Sequence, residues 1–148
     1  MKAVIALGSN IGDPKENLDL AISLLQEATD LKKVSSYYQT RPVGYEDQPD
    51  FLNAICIAES ELPAMEFLKM LHGIEKAMGR ERSIKWGPRT IDLDLIQYGD
   101  LISKAEELSL PHPRAHERRF VLEPWLEIEP SAHLPGRGPI RELLAALT

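Results

Sequence analysis

Apolar and polar positions along this chain fall into short blocks whose period switches between two and about 3.6. The run Ala3-Val4-Ile5-Ala6-Leu7-Gly8 predicts a first strand. Past Gly8-Ser9-Asn10-Ile11-Gly12, Asp13 stands as an N-cap, Pro14 suits the first helical position, and Glu16 completes a capping box. Leu18, Ala21, Ile22, Leu25 and Ala28 follow at helical spacing. Residues 31–40, rich in Val, Ser and Tyr, predict a second strand, 41–50 a Pro/Gly loop and 51–59 a third strand. Pro63 opens a second helix with Ala64, Phe67, Leu68, Leu71, Ile74 and Met78 on one face, and Gly79 is its C-terminal cap. A basic loop at 80–89 leads to a fourth strand at 90–98, and residues 100–103 are expected to pair with it. Residues 115–127 predict a helix, and Ile140, Leu143, Leu144 and Leu147 a last one. The core order β-α-β-β-α-β predicts a single α+β domain over 1–148, a ferredoxin-like antiparallel sheet packed with helices.

The fourth strand carries the most informative pattern, Trp86-Gly87-Pro88-Arg89-Thr90-Ile91-Asp92-Leu93-Asp94-Leu95. Strand alternation puts Ile91, Leu93 and Leu95 on one face and Asp92 with Asp94 on the other. Two carboxylates that close are unfavourable without a cation or proton between them. Mg²⁺ is commonly held by one or two carboxylates plus substrate phosphates. Acidic residues are common on surfaces, but aspartate is disfavoured in strands, so two in one short strand ask for a reason.

Composition narrows the classes. The chain has 148 residues, 43% hydrophobic and 27% charged, which suits one domain with one core. No apolar stretch is long enough to span a membrane, and the N-terminal run is too short for a signal peptide. The single cysteine, Cys56, lies between isoleucines and reads as a buried small hydrophobe, which fits a cytoplasmic location. A net charge of −6 argues against nucleic-acid binding and makes a monomer the default. Yet Arg80, Arg82, Lys85, Arg89, Lys104, Arg114, Arg118 and Arg119 crowd one part of the chain. A local arginine cluster in an acidic protein suits a small polyanion.

The usual backbone phosphate cradles are missing. Gly8-Ser9-Asn10-Ile11-Gly12 lacks the Gly-Lys-Ser/Thr of a P-loop, and no Gly-x-Gly-x-x-Gly follows a strand. A bound nucleotide would therefore depend on side chains, with Arg80, Arg82 and Arg89 next to the carboxylates as candidates. Pro111 and Pro113 would hold His112 in place beside Arg114, Arg118 and Arg119, in either a structural or a phosphate-contacting role. Thr40, Phe51 and Asn53 flank one Pro/Gly loop. They suit either ordinary turn chemistry or a flat heterocycle, stacked by an aromatic ring and bonded by an amide.

Taken together, the segments Leu7-Gly8-Ser9-Asn10, Thr40-Arg41-Pro42-Val43-Gly44, Asp47-Gln48-Pro49-Asp50-Phe51-Leu52-Asn53, Gly79-Arg80-Glu81-Arg82, Trp86-Gly87-Pro88-Arg89-Thr90-Ile91-Asp92-Leu93-Asp94 and Pro111-His112-Pro113-Arg114 with Arg118-Arg119-Phe120-Val121-Leu122 resemble the 6-hydroxymethyl-7,8-dihydropterin pyrophosphokinase family of folate biosynthesis. The resemblance implies an ATP-dependent diphosphokinase that passes pyrophosphate to the pterin hydroxymethyl group and releases AMP. It implies that Asp92 and Asp94 bind two Mg²⁺ ions, with Arg80 and Arg89 assisting catalysis. Glu75, Arg82, Trp86, His112 and Arg118 are implied for ATP, and Thr40, Val43, Phe51, Asn53 and Phe120 for the pterin. Lys85 and Arg114 carry no assignment. Asp94 and a metal-bound water are both open as general base. Two other readings use part of the pattern: a two-metal nucleotidyl transferase or cyclase, and a binding module without activity. Their products separate them, since the cyclase gives pyrophosphate and the module nothing.

Overall fold

The first apolar run forms β1 (Lys2–Ser9), which becomes a central strand because every residue after Lys2 is buried. The structure, a computed structural model, describes residues 1–41, 49–79 and 90–147. After β1 come α1 (Pro14–Ala28), β2 (Asp30–Val34), β3 (Tyr38–Thr40), β4 (Phe51–Glu59), α2 (Ala64–Ala77) and β5 (Asp92–Tyr98). The hairpin β6 (Ser103–Ala105) and β7 (Leu108–Leu110) leads through a 3₁₀ turn (Ala115–Glu117) to α3 (Arg119–Ile128). A small hairpin, β8 (His133–Leu134) with β9 (Gly138–Pro139), precedes α4 (Ile140–Ala145). The main sheet has the antiparallel order β2-β4-β1-β5, with β3 continuing beside β4. This is the expected ferredoxin-like order.

Local chemistry sets the helix ends. Asp13 Oδ1 accepts from the Glu16 N–H at 3.2 Å, and Pro14 needs no donor there. α2 begins after Pro63 and stops where Gly79 takes a φ of +76°, a left-handed conformation that favours glycine.

Three expectations are corrected. The second strand is two strands, because Ser35 interrupts the ladder. Its N–H donates to Ile55 O at 2.9 Å, while its hydroxyl, in place of a backbone carbonyl, accepts the Ile55 N–H at 2.9 Å. Residues 100–103 do not pair with β5. Gly99 turns the chain at φ +57°, Leu101 N–H closes onto Tyr98 O, and β6 pairs with β7. The helix expected over 115–127 is broken at Arg118, whose φ of −110° and ψ of 106° are extended.

Helices cover both faces of the sheet. α1 and α2 lay Leu18, Leu25, Phe67 and Leu71 on Ala3, Ile5, Leu7, Ala54, Cys56, Leu93 and Leu95. On the other face α3 and α4 lay Val121, Leu122, Trp125 and Ile140 on Val4, Ala6, Ile55, Ile57 and Ile96. Cys56 is fully buried, and burial pushes its thiol up to about 12, so it is inert packing.

Candidate active site

The α3 face turns polar at one end of the sheet. Register places Tyr38 beside Asn53, Asn53 beside Gly8, and Gly8 beside Asp92. One row further in, Ala6 lies between Ile55 and Asp94. Asn53 and Asp92 are therefore two strand spacings apart, about 9–10 Å, with a glycine between them. Asp92 and Asp94 are half-buried on this face, while Ile91, Leu93 and Leu95 are buried on the other, as the alternation predicts.

On β3 and β4 the candidate residues are tied to one another. The Thr40 hydroxyl donates to Asn53 Oδ1, and Thr40 is the register partner of Phe51. A Cβ at Gly8 would lie 3.0 Å from Asn53 Nδ2 and 3.5 Å from Phe51 Cδ1. Gly8 therefore leaves room that any other residue would take. The sequence signal for this role was present, since a strand glycine marks close approach of a ligand or backbone, but the residue drew no role. Tyr38, beside Asn53, was missed too, because nothing local distinguishes it from other strand tyrosines. Buried Asn10 donates to Pro49 O at 3.0 Å and ties the turn after β1 to the segment entering β4.

β5 is an edge strand, and site residues hang on it. Glu75, only 4% exposed, accepts the Leu93 N–H at 2.8 Å, between the two aspartates. Its carboxylate thus holds the carboxylate-bearing strand. The β1–β5 register shifts between Val4 and Ile5, which makes room for Ile96 as a bulge. The carbonyl of Ile96 takes the His112 N–H at 2.8 Å. His112 Nδ1 accepts the Arg114 N–H at 3.1 Å, so the neutral ring carries its proton on Nε2 as a donor. Burial, aided by the charges of Arg118 and Arg114 and opposed by Asp92, pushes the imidazole down to about 4. The break before α3 puts Arg118 at the helix entry, with its guanidinium 5.4 Å from the centre of the Phe120 ring.

Thr40, Phe51, Asn53, Asp92 and Asp94 are thus gathered by the sheet. Glu75 and His112 are fixed to the edge of β5, and Arg118 is joined to Phe120. Val43, Arg80, Arg82, Trp86 and Arg89 lie outside the described residues. Among the described residues, no group of three or more His, Cys, Asp or Glu is arranged to hold a metal ion. Two oxygen-bearing carboxylates between glycine and alanine neighbours instead fit a hard cation shared with a substrate.

An antiparallel sheet of ferredoxin-like order with helices on both faces defines the class as an α+β fold, with the candidate site at the polar end of its α3 face. The chain belongs to the 7,8-dihydro-6-hydroxymethylpterin-pyrophosphokinase (HPPK) family, whose model matches residues 4–130. It is a pyrophosphokinase, a diphosphate-transferring enzyme of folate biosynthesis. A Bacillus subtilis 2-amino-4-hydroxy-6-hydroxymethyldihydropteridine pyrophosphokinase is 48% identical over 128 residues, 85% of this chain and 77% of the relative. The Haemophilus influenzae protein of that name is 42% identical over 144 residues, 96% of this chain and 90% of the relative. The crystal structure of wild-type Plasmodium falciparum HPPK-DHPS with pteroate superposes with a TM-score of 0.71 at 15% identity. The match takes in 98% of this chain and 44% of that one, and it supports the fold.

Proposed function

We propose that ATP and 6-hydroxymethyl-7,8-dihydropterin meet over the polar end of the α3 face, and that this chain's residues divide the work as follows. Asp92 and Asp94 are the residues that would hold Mg²⁺, two ions in number. Bound there, the metals would neutralise charge on the transferring diphosphate and on the leaving phosphate. Thr40, Val43, Phe51, Asn53 and Phe120 bind the pterin, with its ring between Phe51 and Phe120. His112 offers its Nε2–H to phosphate or nucleotide, and Arg118 adds charge from the entry of α3. Arg82 and Trp86 contact the nucleotide, and Arg80 and Arg89 stabilise the charge that develops during transfer. Glu75 stands with the ATP-binding residues and also holds β5 through the Leu93 N–H.

The reaction balances simply. The pterin hydroxyl oxygen forms a bond to the β-phosphorus, the bond from that phosphorus to the α-phosphate oxygen breaks, AMP leaves, and the hydroxyl proton passes to a base or to solvent. The observation that carries this division is the register row Asn53–Gly8–Asp92, with Asp94 one step along β5. It sets an amide for a heterocycle and carboxylates for a metal on one continuous surface. Among the described residues no helix is long and apolar enough to cross a membrane. We take the working state as a cytoplasmic monomer that binds neither nucleic acid nor membrane. Sedimentation at assay concentration checks the monomer.

The test is a product assay with ATP, Mg²⁺ and 6-hydroxymethyl-7,8-dihydropterin. AMP and pterin diphosphate appear together, and only when pterin is present. Pyrophosphate release, or AMP formed without pterin, would sink this reading.

A further inference from the structure

The pterin site proposed above takes Thr40, Phe51 and Asn53 from β3 and β4 and Phe120 from the first turn of α3. The contacts that fix the strand side against the helix side lie at the far end of that helix. Both oxygens of Glu127 accept the Ser36 N–H at 3.2 Å, Oε2 accepts the Ser36 hydroxyl at 2.9 Å, and Oε1 accepts the Tyr38 hydroxyl at 2.7 Å. Lys33 adds a bond from its ammonium to Ile128 O at 3.0 Å. Glu129 anchors the same end to the core side, accepting Trp125 Nε1 at 2.9 Å and Lys2 Nζ at 2.8 Å.

Three donors converge on Glu127 from the segment where the β ladder is interrupted. Ser36 lies in the gap between β2 and β3, and Tyr38 begins β3. Tyr38 is in turn the register partner of Asn53, and the Thr40 hydroxyl bonds Asn53 Oδ1. At the other end, Phe120 is seven residues before Glu127. Two helical turns bring the side chains at i and i+7 to the same face, about 10 Å apart along the axis. One face of one short helix therefore carries Phe120 at the pocket and Glu127 at the strand that supports Thr40 and Asn53.

We propose that Glu127 is a positioning residue for the heterocycle: by tying Ser36 and Tyr38 to α3, it sets the separation between the Thr40–Asn53 wall and the Phe120 wall. The inference rests on the pterin site proposed above. The bland alternative is an exposed polar network, which contributes little. It predicts no discrimination between the two substrates, whereas a spacer between pterin walls affects pterin binding and spares ATP.

The test is steady-state kinetics of the full chain with Mg²⁺ and each substrate varied in turn. Glu127→Ala is expected to raise the pterin KM about three- to ten-fold, the size of a partly solvated charged hydrogen bond, with kcat and the ATP KM within about two-fold. Glu127→Gln, which keeps an acceptor oxygen, recovers most of the loss. Adding Tyr38→Phe to Glu127→Ala raises the pterin KM no further, because both remove the same tie. If Glu127→Ala does not fold, Tyr38→Phe alone carries the expectation, at about two-fold. An unchanged pterin KM, an equal rise for both substrates, or independent effects of the two substitutions would overturn the proposal. A wild-type chain that releases no pterin-dependent AMP would overturn the site reading beneath it, and the positioning role with it.

Discussion

The two faces of the central sheet are made from the same strands and do different jobs. Against α1 and α2, the inward residues of β1, β4 and β5 are apolar until β1 ends at buried Ser9, as in Ala3-Ile5-Leu7, Ala54-Cys56-Ala58 and Leu93-Leu95. Against α3 and α4, the apolar residues stop part-way. Val4, Ala6, Ile55, Ile57 and Ile96 are core, and past them come Gly8, Asn53, Asp94 and Asp92. One face holds the strands in register, and the other uses that register to aim polar groups. Neighbouring residues of β5 should therefore fail in different ways.

The largest effect is expected at Asp94. Asp94→Ala should lower turnover about a thousand-fold, since it removes a charge assigned to metal binding, while the melting temperature stays close to that of the parent. A product assay beside a thermal melt reads both. Near-normal AMP release would break the contrast between the faces and take the metal assignment with it.

One residue back, Leu93→Ala should do the reverse. Leu93 is 2% exposed in the larger core cluster, so its truncation is expected to cost about 2–5 kcal/mol of stability. Its backbone N–H keeps its bond to Glu75, so kcat of the folded fraction should change little. Chemical denaturation checks the first statement, and activity normalised to folded protein the second. A Leu93→Ala chain as stable as its parent would mean that the apolar face is not the scaffold.

The alternation along residues 91–95 was legible because both its faces are strongly marked, one aliphatic and one acidic. The βαββαβ order was legible for the same reason, since each element has a clear period and strong punctuation at Pro14, Pro63 or Gly79. The misses fall where a local break outcompetes the period that the side chains show, in one case through a bond to a residue distant in sequence. Ser35 splits a strand only because Ile55 lies beside it, at 20 residues' separation. The β6–β7 pairing depends on a turn at Gly99 that competes with continued pairing to β5. Arg118 breaks a helix that periodicity would have continued. The candidate site was legible as residue types through the resemblance. Its spatial order was not, because the row Tyr38–Asn53–Gly8–Asp92 is made by strands adjacent only after folding.

A third test asks whether the polar end is solvated surface or an enclosed site. His112 is pushed down to about 4 by burial, with Arg118 adding to the effect. Its folded value thus lies below the ordinary value near 6.5. Between those two values the unfolded chain binds the extra proton and the folded chain does not. Stability contributed here is intact above about 6.5 and is lost as the pH falls towards 4. In magnesium-free protein, the His112 ring signals should stay those of the neutral Nε2–H form until about pH 4. The difference in stability between the parent and His112→Gln should shrink across the same window. Titration near 6.5 would place the ring in open solvent.

The smallest of these effects is expected at Gly8, and it bears on the boundary between the two kinds of surface. The position lies on the α3 face, where β1 passes from core to site. Its backbone is ordinary strand, so a left-handed conformation is not why glycine is needed. The reason is space: a Cβ there meets Asn53 Nδ2 at 3.0 Å, tighter than ordinary van der Waals contact, and Phe51 Cδ1 at 3.5 Å. Asn53 is held from its other side by the Thr40 hydroxyl, so it yields only by disturbing that bond. Gly8→Ala should therefore weaken pterin binding about ten-fold, the effect of a misplaced hydrogen-bonding group, with a smaller change in kcat and little in stability. Isothermal titration with the pterin reads this directly. Unchanged affinity would mean that Asn53 and Phe51 can move aside, and that the wall on β3 and β4 is less rigid than the face behind it.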